Sequence, residues 1–275
     1  MSINRNLVLG FVVFSGLGMA IFFLPKAVVN NKKLAARDSS SSSSETVKPE
    51  MAHSSDSTPV EGISELRKEA LNSIGEKEKS EVFSKMATTY LKANRFDSAG
   101  AYFEKASDLT TDSKLVFKAG SAYFEGITYA SNPSKIEFLS DKARKMFERI
   151  PEKDPLSVEA QAKIALTWVN SETPMKGILK LRELAEKNPE NEFLAYQLGI
   201  LSFQSGQYDK AVSRFESVLS LNAKNVNALF YLAQSLHELG RNKEALKFVE
   251  KGLSLSKEED TKASFQELKK LVTEN

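Results

Sequence analysis

The sequence has no cysteine, two histidines and one tryptophan in 275 residues. Without cysteine there are no disulfides, thiolate metal sites or cysteine nucleophiles. His53 and His237 stand far apart in the chain, without the spacing of metal ligands. A glycine-rich phosphate loop and a nucleophile elbow are also missing. So is an excess of charge of one sign. Lys and Arg number 38 against 36 Asp and Glu, a net +2 that gives nucleic acid no global attraction. His237 is followed by Glu238, but adjacent residues of a helix do not face each other. The acidic run Glu258-Glu259-Asp260 reads as solvated charge at a helix boundary. The expectation is a protein with no catalytic, metal or cofactor site, and not an enzyme.

One long hydrophobic run is present. Leu7 to Leu24 is uncharged, and with Ala27, Val28 and Val29 the span covers 23 residues. As a helix this measures about 34 Å, enough for a hydrocarbon core of about 30 Å. Residues 1–29 are therefore expected to be an uncleaved transmembrane anchor, with Lys26 snorkelling to the interface. A cleaved signal peptide and a buried core helix are the alternatives. The first is opposed by the length of the run and by the lack of an Ala-x-Ala site, the second by the linker that follows. Residues 30–60 hold six consecutive serines, Ser39 to Ser44, then Pro49 and Pro59, with few apolar groups to offset the entropy of ordering. Such a disordered linker spans roughly 30 Å root mean square. Lys26, Lys32, Lys33 and Arg37 follow the anchor while only Arg5 and the amino terminus precede it, so the positive-inside rule places the rest of the chain in the cytoplasm.

From there the apolar residues keep helical spacing. Ile63, Leu66, Ala70, Leu71 and Ile74 predict a capping helix within residues 61–79. From Val158 to Glu259 one 34-residue pattern occurs three times without insertion or deletion. Its position 8 is Ala165, Gly199 and Ala233, its position 20 Gly177, Ala211 and Ala245, and its position 24 Leu181, Phe215 and Val249. Small residues at positions 8 and 20 let two antiparallel helices cross closely, and larger apolar groups fill the space around them. Two looser copies precede: residues 80–112, with Ala87, Ala99 and Phe103, and residues 113–157, with Ala119, Ala143 and Phe147. In the second copy the later columns arrive eleven residues late. Ile136, Leu139, Ala143, Phe147 and Ile150 keep helical spacing, which predicts two lengthened helices joined near Ser131-Asn132-Pro133-Ser134, with Ser134 as N-cap. The units are thus 80–112, 113–157, 158–191, 192–225 and 226–259, closed by a C-terminal capping helix in 260–275 with Phe265, Leu268 and Val272 on one stripe.

These columns, with Leu198-Gly199 and the turn Gly206-Gln207-Tyr208 of the middle copy, resemble the tetratricopeptide repeat family. The resemblance implies an all-α fold, a right-handed solenoid of about five helix-turn-helix units, here behind a single N-terminal transmembrane helix. With that span, the chain is similar to bacterial membrane-anchored repeat proteins, some of them cytochrome c maturation factors. The stretches Glu172–Gly177 and Leu184–Pro189 carry that likeness. It implies a single-pass protein of the cell (inner) membrane with its repeats outside the cytoplasm, against the charge count. Chaperone-binding members hold a carboxylate terminus with a Lys/Asn, Asn, Lys/Arg set. Here the matching positions give Ala162, Leu166, Gln197, Asn227 and Tyr231 in the last three units. The earlier registers reproduce the set no better: Ser84, Thr88, Lys118, Glu159 and Lys163 in one, Phe117, Ser121, Lys163, Phe193 and Gln197 in the other.

In this family the first helices line a concave groove. The first unit offers Glu81, Ser84, Lys85, Thr88, Leu91 and Lys92, polar and mixed in charge. The last two units offer Phe193, Tyr196, Gln197, Ile200, Phe203 and Gln204, then Phe230, Tyr231, Gln234 and His237. Rings separated by amides, with little charge, suit a peptide or helix with apolar anchors. Three functions stay open: a membrane-tethered scaffold that holds a protein partner in this groove, a subunit of a cytochrome c maturation or haem-lyase assembly complex, and a module that homo-oligomerises without a peptide ligand.

Overall fold

The computed structural model describes residues 59–274. The expected anchor and nearly all of the expected linker lie outside the described residues. Among the described residues no helix is long and apolar enough to cross a membrane.

Regular structure in the described residues is wholly helical. A single helix, α1 (Ile63–Asn72), precedes five antiparallel pairs. These are α2 (Glu76–Lys92) with α3 (Phe96–Ser107), α4 (Ser113–Thr128) with α5 (Pro133–Glu148), and α6 (Ser157–Val169) with α7 (Pro174–Lys187). α8 (Glu192–Gln204) with α9 (Tyr208–Leu221) and α10 (Val226–Glu238) with α11 (Asn242–Leu255) follow, and α12 (Glu259–Glu274) closes the array. Asparagine and aspartate start several first and second helices. The side chains of Asp112, Asn132, Asn191 and Asn225 accept hydrogen bonds from backbone N–H groups of the first turn of α4, α5, α8 and α10. The turn inside three pairs needs a left-handed residue at one fixed place, occupied by Asn94 (φ 55°), Gly206 (φ 72°) and Gly240 (φ 73°).

The small residues sit where the period puts them. Ala87 and Ala99, Ala119 and Ala143, Ala211, and Ala233 and Ala245 are fully buried, as are the larger Phe103, Phe147, Leu181, Phe215 and Val249 beside the crossings. Burying each such large side chain contributes about 1.5–3 kcal/mol. The apolar interior forms two clusters. One runs from Ala87 to Leu198, the other from Ile200 to Val272, and the border falls within α8.

Two expectations need correction. Leu71 and Ile74 do not join the capping stripe: they are 84% and 99% exposed. Only Ile63 and Ala70 of α1 are buried; Leu71 points about a quarter-turn away from Ala70, and Ile74 lies beyond the end of the helix. The helix that opens the first pair starts ahead of the repeat unit, at Glu76, because Gly75 is the nearest breaker and Glu76 and Glu78 favour an N-terminal turn. Finally, α5 is capped by Asn132 and not Ser134. Asn132 Oδ1 accepts from Lys135 N at 2.8 Å, and Pro133 takes the first helical position, where its missing N–H costs nothing.

The second pair is lengthened: α4 and α5 have 16 residues each, against 13 or 14 in the helices of the three pairs that follow. Its joint leans on the first pair. Tyr129 stacks on Phe96 with centroids 4.8 Å apart, and Lys135 Nζ lies 2.7 Å from Asp97 Oδ2.

Candidate concave binding site

The first helices α2, α4, α6, α8 and α10 present successive strips of side chains. At the N-terminal end, between α2 and α4, an open cavity of about 720 Å³ is lined by hydroxyls and charges, among them Lys77, Ser84, Lys85, Thr88, Lys92 and Asp112. Lys85 is tied to Glu69 of α1 at 2.8 Å.

At the C-terminal end the rings expected on an open surface are largely interior. Phe230 is 3% exposed, Tyr231 7% and Ile200 8%. The reason is ring-on-ring packing between units. Phe230 meets Phe265 of α12 edge-on at 5.3 Å. Tyr231 stacks on Phe215 at 5.7 Å and meets the edges of Phe203 and Tyr196 at 5.5 and 6.4 Å. These three residues therefore act as core. Phe193, Tyr196, Gln197, Phe203, Gln204, Gln234 and His237 remain half-buried along α8 and α10. His237 is held by its own turn, with Nδ1 2.8 Å from Asn242 Oδ1.

A feature that pattern reading passed over lies between the two ends. Lys163 of α6 carries a side chain only 13% exposed. Its ammonium stands 5.8 Å from the Phe117 ring, 5.2 Å from Phe124 and 5.4 Å from Phe193, so one cation touches rings of α4 and α8 from the helix between them. The carboxylate paired with it, Glu159 Oε1, is 3.7 Å away, too far for a hydrogen bond. Burial lowers the pKa of Lys163, with Glu159 and Glu125 acting against it. Glu125 is an exposed residue, and partial desolvation by its neighbours raises its pKa, with Lys163 moderating the rise. The signal was available: Phe117 and Phe124 are seven residues apart on one helical face, and Lys163 is the lone lysine on the matching face of the next first helix.

Two hydroxyls complete this stretch. Ser121 sits one turn after Phe117 and one turn before Phe124, and Tyr196 one turn after Phe193. The side-chain oxygens of both are buried without a hydrogen-bond partner. Burial also drives the Tyr196 phenol pKa far upward, so it stays protonated and a donor.

Among the described residues no group of His, Cys, Asp and Glu could hold a metal ion. The arrangement offers donors, rings and charges on a concave wall, which is binding chemistry.

Comparison with known proteins agrees with the architecture. Tetratricopeptide repeat models match residues 80–112 and residues 202–261. A solved thermophilic tetratricopeptide-repeat protein of Thermus thermophilus is 18% identical, covers 69% of this chain and 98% of its own, and superposes with a TM-score of 0.51. A chain of the APC/C hetero-tetramer Cut9–Hcn1 is 17% identical, with 72% of this chain and 36% of that one covered, at a TM-score of 0.52. No curated protein matches the sequence. Two stretches of the chain thus match tetratricopeptide repeat models, and the described residues share the helical fold of such repeat proteins.

Proposed function

We propose that this repeat-bearing chain is a scaffold that holds a segment of a protein partner against its concave face and is tethered to a membrane by residues 7–29. The observation that carries the reading is the strip of half-buried rings and amides on adjacent first helices, Phe193, Tyr196 and Gln197 of α8 with Gln234 of α10. Half-buried rings supply anchoring area, and amides pair with main-chain groups of a bound segment.

Site-specific photocrosslinking tests it. A photoreactive residue at Gln197 or Gln234 is expected to capture a defined partner, and the same group at Lys180 or Lys210 on the second helices is not. Capture from Lys180 and Lys210 alone would move the interface to the other face and end the groove reading. A reporter fused after the last residue, combined with protease access in spheroplasts, tests the tether: the repeats are expected on the extracytoplasmic side, as the family likeness implies and contrary to the charge flank.

A further inference from the structure

We infer that the turn between α1 and α2 is a lipid contact: Leu71 and Ile74 rest in the headgroup layer of the bilayer to which residues 7–29 hold the chain. The inference rests on the tether reading above and adds the surface that the folded part presents to the membrane.

Leu71 is 84% exposed and Ile74 99%, while Leu179 at 57% is the next most exposed large apolar side chain among the described residues. The exposed rings elsewhere are engaged: Tyr129 stacks on Phe96, and the Lys135 ammonium stands over Phe138. The turn itself stands in the open, since a Cβ added to Gly75 would meet no atom within 4 Å. Its N–H groups are met locally. Ser73 N donates to Glu69 O at 3.0 Å and Ile74 N to Glu78 Oε2 at 3.4 Å, so leaving bulk water strands neither.

Position decides what covers these side chains. Among the described residues α1 is the first helix after the apolar run, and residues 30–58 lie between Val29 and Pro59. A coil of that length spans roughly 30 Å root mean square, and α1 adds about 15 Å. The turn is therefore held within reach of the bilayer surface. A second copy of the chain is a poorer occupant, because a stable protein interface takes about 800 Å² from each partner, more than two aliphatic side chains offer. A tethered contact needs less, since the tether alone gives an effective concentration in about the millimolar range. Between Glu65 and Lys79 glutamates and basic residues are equal in number, so the contact needs no anionic lipid. Glu76 and Glu78 must keep their water, which confines the contact to the headgroup layer.

The chain has no cysteine, so a dye placed by Asn72→Cys or Ser131→Cys reports one site. The full chain is reconstituted in phosphatidylcholine vesicles that carry a nitroxide-headgroup lipid. The dye at residue 72 is expected to be quenched severalfold more than the dye at residue 131, on the α4–α5 joint. Adding Leu71→Asn and Ile74→Asn to Asn72→Cys is expected to bring quenching down to the level of Ser131→Cys, with the thermal midpoint unchanged because neither side chain is packed. Equal quenching at the two sites, or quenching at residue 72 that survives both substitutions, overturns the lipid contact. Flotation of the vesicles after an alkaline carbonate wash reads the tether separately. Chain that floats when the quenching test fails leaves the tether in place, and chain that is washed off removes both.

Discussion

The carbonyl oxygen of Ala165 occupies the place where a side chain on Gly177 would begin. A Cβ on Gly177 would lie 2.3 Å from Ala165 O and 2.7 Å from Val169 N. These are backbone atoms of α6, so neither can swing aside. In the two units that follow, the equivalent position holds Ala211 and Ala245, so α6 and α7 approach more closely than those pairs can. Gly177→Ala is expected to destabilise the protein by about 1–3 kcal/mol. That is the net effect after the gain of up to about 1 kcal/mol from the better helix propensity of alanine. Urea unfolding monitored at the single tryptophan, Trp168 at the end of α6, checks it. An increase in stability would mean that the helices separate at no cost.

The left-handed turns give a second expectation. Around Gly206 and Gly240 an added Cβ meets nothing within 4 Å, so space is not the constraint there and φ is. Gly206→Ala and Gly240→Ala are each expected to cost about 1–2 kcal/mol, the strain of a left-handed alanine. Asn94→Gly, at the same place in the first pair, is expected to cost nothing or to stabilise slightly, since asparagine tolerates this conformation and glycine prefers it. Thermal unfolding of the three variants checks the ranking. Equal midpoints in all three would sink the account.

These cases show why so much of the fold was readable. The constraint at Ala165, Gly177, Gly199 and Ala211 is local and repeats every 34 residues, so it leaves an imprint in the sequence. The lengthened second pair was legible for the same reason, from the late arrival of Ala143 and Phe147. The site was less legible. Whether Phe230 and Tyr231 face solvent depends on where Phe215 of α9 and Phe265 of α12 place their rings, and the repeat register does not encode contacts between units. Lys163 was hidden likewise, since its three aromatic neighbours lie 46, 39 and 30 residues away in sequence.

A polar tie spans the first two pairs. Tyr123 Oη donates to Glu104 Oε2 at 2.6 Å, and the same carboxylate accepts from Lys142 Nζ at 2.9 Å. One acceptor on α3 thereby ties α4 and α5. The Tyr123 ring is buried at 2% exposure, so Tyr123→Phe deletes the hydroxyl without opening a cavity. Glu104 keeps Lys142 and some contact with water, so the loss is expected at about 1–2 kcal/mol, the lower part of the range for hydrogen bonds to charged groups. Chemical denaturation checks it. A double-mutant cycle with Lys142→Met is expected to show coupling, because both bonds share one carboxylate.

Glu125 gives the pH dependence. The residue is exposed, and partial desolvation by its neighbours raises its pKa above 4.5, against the pull of Lys163. Folding therefore favours the protonated form. The stability this contributes is fully present below 4.5, the unfolded value, and is lost as pH rises through the raised folded value. Carboxylates with lowered pKa, such as Glu183 and Glu244, act in the opposite sense, so the readout is the difference between wild type and Glu125→Gln and not either curve alone. The variant is expected to match wild type at about pH 4 and to be the more stable of the two at about pH 7. Thermal midpoints at the two pH values decide it. A variant less stable than wild type at neutral pH would mean that attraction to Lys163 outweighs the cost of partly desolvating the carboxylate.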